Sequence, residues 1–133
     1  MIEWDSKYSV NVLLIDEEHK KFIDIINKVI VAKEHRNNRK EILGILNKIN
    51  EYAQKHLKTE ETYMEKFGYS DYLFHKKEHQ EFSLAILSLR IKLTNSNYQI
   101  ANDIYIFLQR WLVKHIQKTD QKYTDCFNKN GLK

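Results

Sequence analysis

The sequence has no proline, only three glycines and a single cysteine among its 133 residues. Proline and glycine are the residues that most often interrupt helices, so their scarcity predicts long helices joined by short turns. The lone Cys126 excludes a disulfide within the chain and fits a reducing compartment. A chain of this length is expected to form one all-α domain over residues 1–133.

The chain also lacks a long apolar run and a basic, apolar leader at its N-terminus. A membrane span needs about 18 apolar residues, and a signal peptide needs a positively charged start before an apolar stretch. We therefore expect no membrane span and a cytoplasmic protein. The net charge of +4 comes from lysines and arginines interleaved with acidic residues, so nucleic acid is not an expected partner.

Apolar residues recur at spacings of three and four along four segments, as in helices with one buried face. Residues 1–15 lack this period and are expected to form an extended arm, after which Asp16 caps the first helix. Asn38 is expected to cap the second helix, and Gly68 to end it. The predicted helices cover residues 16–36, 38–67, 71–94 and 98–122. Their short connections predict an up-down-up-down four-helix bundle.

Histidines and a glutamate occupy the apolar faces of these helices. His56 and Glu60 are four residues apart on the second helix, and His75 and His79 are four apart on the third. This spacing places both members of a pair on the same helix face, one turn apart. A buried ionised carboxylate is costly unless it is paired or bound to a metal. The pairs therefore point to a metal site.

The candidate ligands also agree in level along the bundle. They come from the starts of the first and third helices and from the ends of the second and fourth. In an up-down bundle these positions share one end. Five of the six histidines take part, and only His35, near the opposite end, is left out. The predicted metal ligands are His19, His56, Glu60, His75, His79, His115 and Asp120.

One spacing does not fit a straight helix. Asp120 follows His115 by five residues, which is about 140° further around an α-helix. A straight helix would not bring both side chains to one metal ion. Either the site spans two metals, or the helix loosens or ends there.

Five imidazoles and two carboxylates are more ligands than one structural zinc takes, and calcium and magnesium prefer oxygen ligands. Imidazole with carboxylate suits iron, copper or zinc. Seven ligands are enough for two octahedral ions that share bridges, and the two carboxylates favour a bridged iron pair over copper. A histidine-rich pair should be a mild reductant suited to reversible dioxygen binding.

The motifs carry a family resemblance that covers about residues 4–123. The chain resembles hemerythrins in their single-domain bacterial form through the following motifs: Ile15-Asp16-x-x-His19, His56-x-x-x-Glu60-Glu61, His75-x-x-x-His79 and Trp111-Leu112-x-x-His115-Ile116-x-x-x-Asp120.

The resemblance implies two iron ions per chain with a bridging oxo or hydroxo group. One iron would be bound by His75, His79 and His115, and the other by His19 and His56. Glu60 and Asp120 would bridge them. Dioxygen would bind at the iron with two histidines, for carriage, storage or delivery. An oxygen-accepting partner or a reductase would act with the protein.

The chain departs from the family pattern at a few positions. Leu57 stands where the family has an aromatic residue lining the oxygen pocket, and Glu18 stands where glutamine is frequent. The candidate oxygen-pocket residues are Leu57, Trp111, Leu112 and Ile116, although core packing explains the last three equally well.

Two other functions stay open at this point. One is a di-iron peroxidase or nitric-oxide-handling enzyme, and the other is an oxygen or redox sensor module acting on a separate partner. In the sequence, no acid or base other than the ligands is identifiable near the iron position where dioxygen would bind. We therefore expect that the protein is not an enzyme, beyond a weak peroxidase-type activity.

Overall fold

A computed structural model describes residues 1–36, 38–95 and 100–133. Four long helices pack in order around the bundle, and the fourth returns to the first. The predicted all-α four-helix bundle is thus confirmed. A short 3₁₀ helix, Ser6–Tyr8, lies in the arm. The helices are α1 (Leu13–Glu34), α2 (Arg39–Lys66), α3 (Tyr72–Asn95), α4 (Ile100–Trp111), its π-helical continuation (Leu112–Thr119), a 3₁₀ turn (Asp120–Tyr123) and α5 (Thr124–Lys129).

The start of α1 differs from the prediction. The helix begins at Leu13, three residues before the predicted start, and its N-cap is Val12. Asp16 does not cap the helix, because its carboxylate accepts hydrogen bonds from the Val10 backbone N–H at 2.8 Å and from the Ser9 hydroxyl at 2.5 Å. Asp16 thus fastens the arm to the first turn of α1, a contact between segments that helix periodicity does not encode.

Both predicted signals at the ends of α2 are confirmed. The Asn38 side chain accepts from the Glu41 backbone N–H at 3.0 Å. Gly68 adopts a φ of 64°, in the left-handed region that glycine favours. The backbone N–H of Tyr69 donates to the carbonyl of Met64 at 2.9 Å, as in a Schellman motif. This tight ending lets α3 start at Tyr72, four residues after Gly68.

The fourth helix extends beyond its predicted end at residue 122. Its predicted start at residue 98 lies outside the described residues. The chain changes to π-helical geometry after Trp111 and then continues as helix to Lys129. Phe127 explains this continuation, since it is fully buried and stacks on Tyr123 with ring centroids 4.2 Å apart. The C-terminal turn is therefore part of the packed domain.

Two apolar clusters fill the interior. The main core occupies most of the bundle, and Phe22, Leu57 and Phe82 are among its members. A smaller end cluster contains Met64 and Tyr123, among others. Along each long helix, the predicted ligands lie between the residues of these two clusters. None of the described helices is long and apolar enough to cross a membrane.

Candidate metal centre

The structure brings all seven predicted ligands together in the layer between the two clusters. Each of them is at most 2% exposed. His35, the histidine left out by the sequence argument, lies at the other end of α1, where it pairs with Glu41 at 2.9 Å in an exposed position. The helix face of each histidine and its height along the bundle, both predicted from the sequence, thus distinguished the clustered histidines from the isolated one. The cluster contains His19, His56, Glu60, His75, His79, His115 and Asp120.

Glu60 directs its two oxygens to different histidines. Its Oε1 lies 3.1 Å from His79 Nε2 and 3.6 Å from His75 Nε2. Its Oε2 lies 3.5 Å from His56 Nε2 and 3.6 Å from His19 Nε2. One carboxylate therefore faces two sets of imidazoles at once.

Asp120 divides its oxygens in the same way. Oδ1 lies 2.8 Å from His75 Nε2 and 3.0 Å from His115 Nε2, whereas Oδ2 lies 3.2 Å from His19 Nε2. The carboxylates thus separate two groups that share them. We call these the three-histidine half (His75, His79, His115) and the two-histidine half (His19, His56).

The π-helical segment answers the question raised by the spacing of His115 and Asp120. The backbone N–H of Asp120 donates to the carbonyl of His115, a hydrogen bond that spans five residues. The wider turn brings residues five apart onto the same face. The helix therefore loosens around His115, which is one of the alternatives that the sequence left open. The loosened turn places Asp120 between the two halves.

Three of the imidazoles are held from behind by a carboxylate on a neighbouring helix. Each carboxylate accepts from the Nδ1 of the imidazole, at 2.7 to 2.8 Å. This hydrogen bond fixes the tautomer and leaves the Nε2 lone pair facing the centre. The pairs are His56 with Glu18, His79 with Glu61, and His115 with Glu78.

Sequence reasoning did not identify the roles of Glu18, Glu61 and Glu78. Each of these glutamates is adjacent in sequence to a ligand, so it is turned about 100° from that ligand around its own helix. The turn directs it to the next helix: α1 supports α2, α2 supports α3, and α3 supports α4. The available signal was a glutamate next to one ligand on each of the first three helices, beside His19, Glu60 and His79.

Buried polar atoms without hydrogen-bond partners test whether a cation fits. Among the described residues, they include the Nε2 atoms of His75, His79 and His115, Oε1 of Glu60 and both carboxylate oxygens of Asp120. Leaving such atoms unpaired in a protein interior is costly. All of them face the centre of the cluster. Imidazole nitrogens and carboxylate oxygens are the donors that iron accepts, so the residues fit the metal.

The electrostatics of the cluster also favour a cation. Burial lowers the pKa of His19, but the nearby carboxylates of Asp120 and Glu60 outweigh it and raise that pKa to about 9. His75 is affected in the same way: burial lowers its pKa, and the nearby carboxylates of Asp120 and Glu60 raise it to about 10. Burial would raise the pKa of Glu60, yet the charge of His56 and the close imidazoles of His19 and His75 hold it well below its usual range. The carboxylates are ionised and attract positive charge.

Tyr123 is a further residue of the site that the sequence did not reveal. Its hydroxyl donates to Glu60 Oε2 at 2.5 Å, and its ring stacks on His75 at 5.6 Å. Burial, with the charges of Glu60 and Asp120, raises the Tyr123 pKa well above its usual value. Tyr123 therefore keeps its proton and supports the Glu60 carboxylate.

The four oxygen-pocket candidates fall in two environments. Leu57, Leu112 and Ile116 are buried in the main core, beside the ligand layer. Trp111 stacks face to face on His115, with centroids 3.8 Å apart, and borders a groove of about 410 Å³ together with Lys114. This stacking supports one face of the His115 ring.

Comparisons with known proteins agree with this geometry. The Hemerythrin HHE cation binding domain matches residues 11–126. The bacteriohemerythrin of Methylococcus capsulatus is 33% identical over 96% of this chain and 98% of its own. That of Clostridium acetobutylicum is 28% identical over 94% of this chain and 100% of its own. A crystal structure of wild-type hemerythrin gives a TM-score of 0.84 at 34% identity, covering 95% of this chain and 97% of that one.

Proposed function

The chain belongs to the hemerythrin family, and we propose that its buried cluster holds two iron ions and binds dioxygen reversibly. The observation that carries this proposal is the division of both carboxylates between two groups of imidazoles. A single ion would not need two carboxylates that each direct one oxygen to either side. Two bridged ions would use all seven donors.

In this proposal His75, His79 and His115 bind one iron, and His19 and His56 bind the other. Glu60 and Asp120 bridge the two, with an oxo or hydroxo group as the third bridge. The two halves defined by the protein distances support this division. The half with two histidines has one imidazole fewer and would keep a position open for dioxygen.

The iron pair would supply the two electrons that reversible dioxygen binding requires. The protein side chains hold and shield that pair. Glu18, Glu61 and Glu78 fix the orientation of three imidazoles, and the protonated Tyr123 hydroxyl donates a hydrogen bond to Glu60. We assign Leu57, Leu112 and Ile116 to the apolar pocket that excludes water, and Trp111 to the support of His115.

Oxygen binding is favoured over catalysis because the acidic groups around the centre are already engaged. Glu18, Glu61 and Glu78 each hold a histidine, and Tyr123 donates to Glu60. The buried Tyr52 hydroxyl has no hydrogen-bond partner among the described residues. Burial, followed by the charges of nearby carboxylates, raises the Tyr52 pKa well above its usual value, so it is a poor proton donor.

An anaerobic iron titration followed by oxygen exposure tests the proposal. We expect about two irons per chain, and a visible charge-transfer band that forms with oxygen and disappears on deoxygenation. The His35→Ala variant should behave like the parent, since His35 is exposed and far from the cluster. Irreversible bleaching within seconds, with turnover of peroxide, would support an enzyme instead. Failure of the folded chain to bind iron would contradict the proposal altogether.

A further inference from the structure

Helix α3 carries two apolar stripes on opposite sides. The inner stripe is buried and consists of His75, His79, Phe82, Ile86, Leu89 and Leu93. The second stripe has the same spacing of four, three, four, three and four residues, displaced by two positions toward the N-terminus. We call it the outer stripe, and it consists of Leu73, Lys77, Gln80, Leu84, Leu87 and Ile91.

The C-terminal part of the outer stripe exposes large apolar side chains to solvent. Leu84 is 66% exposed, and Leu87 and Ile91 are each 53% exposed. Scattered apolar residues are common on protein surfaces, but an aligned group marks a contact surface. Within the bundle α3 packs on α2 and α4, and this face points away from both. Nothing in the metal centre requires it to be apolar.

We propose that the outer stripe is the seam of an antiparallel homodimer, in which α3 packs against α3 of a second copy. Alternating spacings of three and four residues average 3.5, which is the repeat that keeps two helices in contact along a coiled coil. A two-fold interface uses the same patch on both copies, so one self-complementary stripe is enough to form it.

The antiparallel direction follows from the polar position Lys77. In a parallel, in-register pair Lys77 would face its own copy, and two like charges in a seam repel each other. In the antiparallel pair, Leu84 packs against Leu87 of the second copy and Gln80 against Ile91. Lys77 then lies opposite Thr94, near the end of the helix.

Charges beside the stripe fit the same register. Glu81 and Lys92 lie on the same side of the outer stripe, about 20° apart around the helix. Rotation about the two-fold axis brings like sides together, which places Glu81 of each copy beside Lys92 of the other. Within the described part of the chain, Lys92 pairs with Asp103 at 3.8 Å, and both side chains are exposed, so this weak contact can be exchanged for the new pair.

The seam is short, because α3 has 24 residues and only three large apolar positions per copy lie within the overlap. Interfaces below about 1,000 Å² belong to the weak, concentration-dependent class. We therefore expect a dimer in rapid exchange with the monomer.

Sedimentation velocity of the full, iron-loaded chain, from low micromolar to millimolar concentration, tests the proposal. The sedimentation coefficient should rise with concentration toward the value of a dimer. The double variant Leu84→Glu/Leu87→Glu should weaken association at least ~10-fold, because it places like charges at the centre of the seam. The matched control is Leu13→Glu/Leu14→Glu on α1, whose leucines are 67% and 44% exposed and which should associate like the parent.

A charge exchange tests the register. Glu81→Lys and Lys92→Glu should each weaken association, and the double variant should restore it. Circular dichroism and iron content should stay unchanged in all variants, since every substituted residue is exposed or partly exposed. A chain that remains monomeric at millimolar concentration would overturn the homodimer, as would a dimer indifferent to Leu84→Glu/Leu87→Glu. A dimer indifferent to both charge reversals would overturn the antiparallel register.

Discussion

The two halves of the metal centre share both carboxylates but differ in how completely the protein surrounds them. The three-histidine half has two imidazoles fixed by glutamates, and Trp111 stacks on one of them. In the two-histidine half, Glu18 fixes His56 and no ring stacks on the imidazoles as closely as Trp111 does on His115 among the described residues. One imidazole in each half, His19 and His75, has a buried Nδ1 without a hydrogen-bond partner among those residues.

This difference separates two tasks within one cluster. The three-histidine half supplies enough donors to hold an ion firmly. In the proposed iron centre, the two-histidine half has fewer donors and would leave room for an external ligand. Because the carboxylates are common to both, the halves cannot be loaded independently of Glu60 and Asp120. Changes to one half, or to the carboxylates between the halves, can therefore test the two tasks separately.

The largest effect is expected from removing a bridge. Asp120→Ala takes away the oxygens that face His75 and His115 on one side and His19 on the other. Iron content after dialysis should fall from about two per chain to below one, as measured by elemental analysis. The control His35→Ala should retain the parental content. Equal losses in both variants would show that the ligand set is wrong.

Iron affinity should depend steeply on pH. His19 in one half and His75 in the other have pKa values raised to about 9 and about 10, so both are protonated near neutral pH without metal. Iron must displace both protons, since an imidazole binds metal in its neutral form. Apparent affinity should rise about 100-fold per pH unit near neutrality and level off above these pKa values. Anaerobic competition with a chelator measures it, and a pH-independent affinity would contradict the shared protonation.

The glutamates behind the imidazoles should matter more where donors are fewer. Glu18→Ala leaves the buried Nδ1 of His56 unpaired in the two-histidine half, and should lower affinity for the second iron about 10- to 100-fold. Glu78→Ala acts on the three-histidine half and should cost less, since two other imidazoles remain.

The conservative variant Glu18→Gln distinguishes orientation from charge. A glutamine oxygen can still accept from His56 Nδ1, so most of the affinity should return. If Glu18→Gln lost as much affinity as Glu18→Ala, the negative charge rather than the hydrogen bond would be responsible. Stepwise chelator competition resolves the two irons in each variant.

The smallest effect is expected from Tyr123→Phe. This change removes the hydroxyl that donates to Glu60 Oε2, the oxygen facing the two-histidine half, and keeps the stacked ring. The loss of a buried hydrogen bond to a charged group should destabilise the metal-free protein by about 1.5–3 kcal/mol. Urea denaturation measures this change. An unaltered free energy of unfolding would show that Glu60 finds another donor.

Much of the fold and of the site was predictable because both depend on helix periodicity. The spacing of His56 and Glu60, and of His75 and His79, determines their common face on any α-helix. Short connections then determine that the starts and ends of successive helices share a level. The N-cap of α2 and its ending at Gly68 are equally local, since each depends on hydrogen bonds within a few residues.

The contacts between segments could not be read in this way. Asp16 resembles an N-cap in sequence, but it bonds to the arm because the chain folds back on α1. Phe127 extends the last helix because it packs against Phe67 and Tyr63 of α2, with ring centroids 5.6 and 6.2 Å away. In both cases the deciding partner is close in space only after the chain has packed.

The sequence by itself determined that this protein is a four-helix bundle with seven candidate metal ligands on one buried level, because helix geometry converts residue spacing into direction and height. Only the tertiary structure decided how those side chains face each other. The π-helical turn that aligns His115 with Asp120, and the glutamates that support imidazoles on the next helix, depend on packing between helices. The glutamate contacts join residues 18 to 38 positions apart in the chain, so the sequence alone does not show which imidazole each glutamate holds.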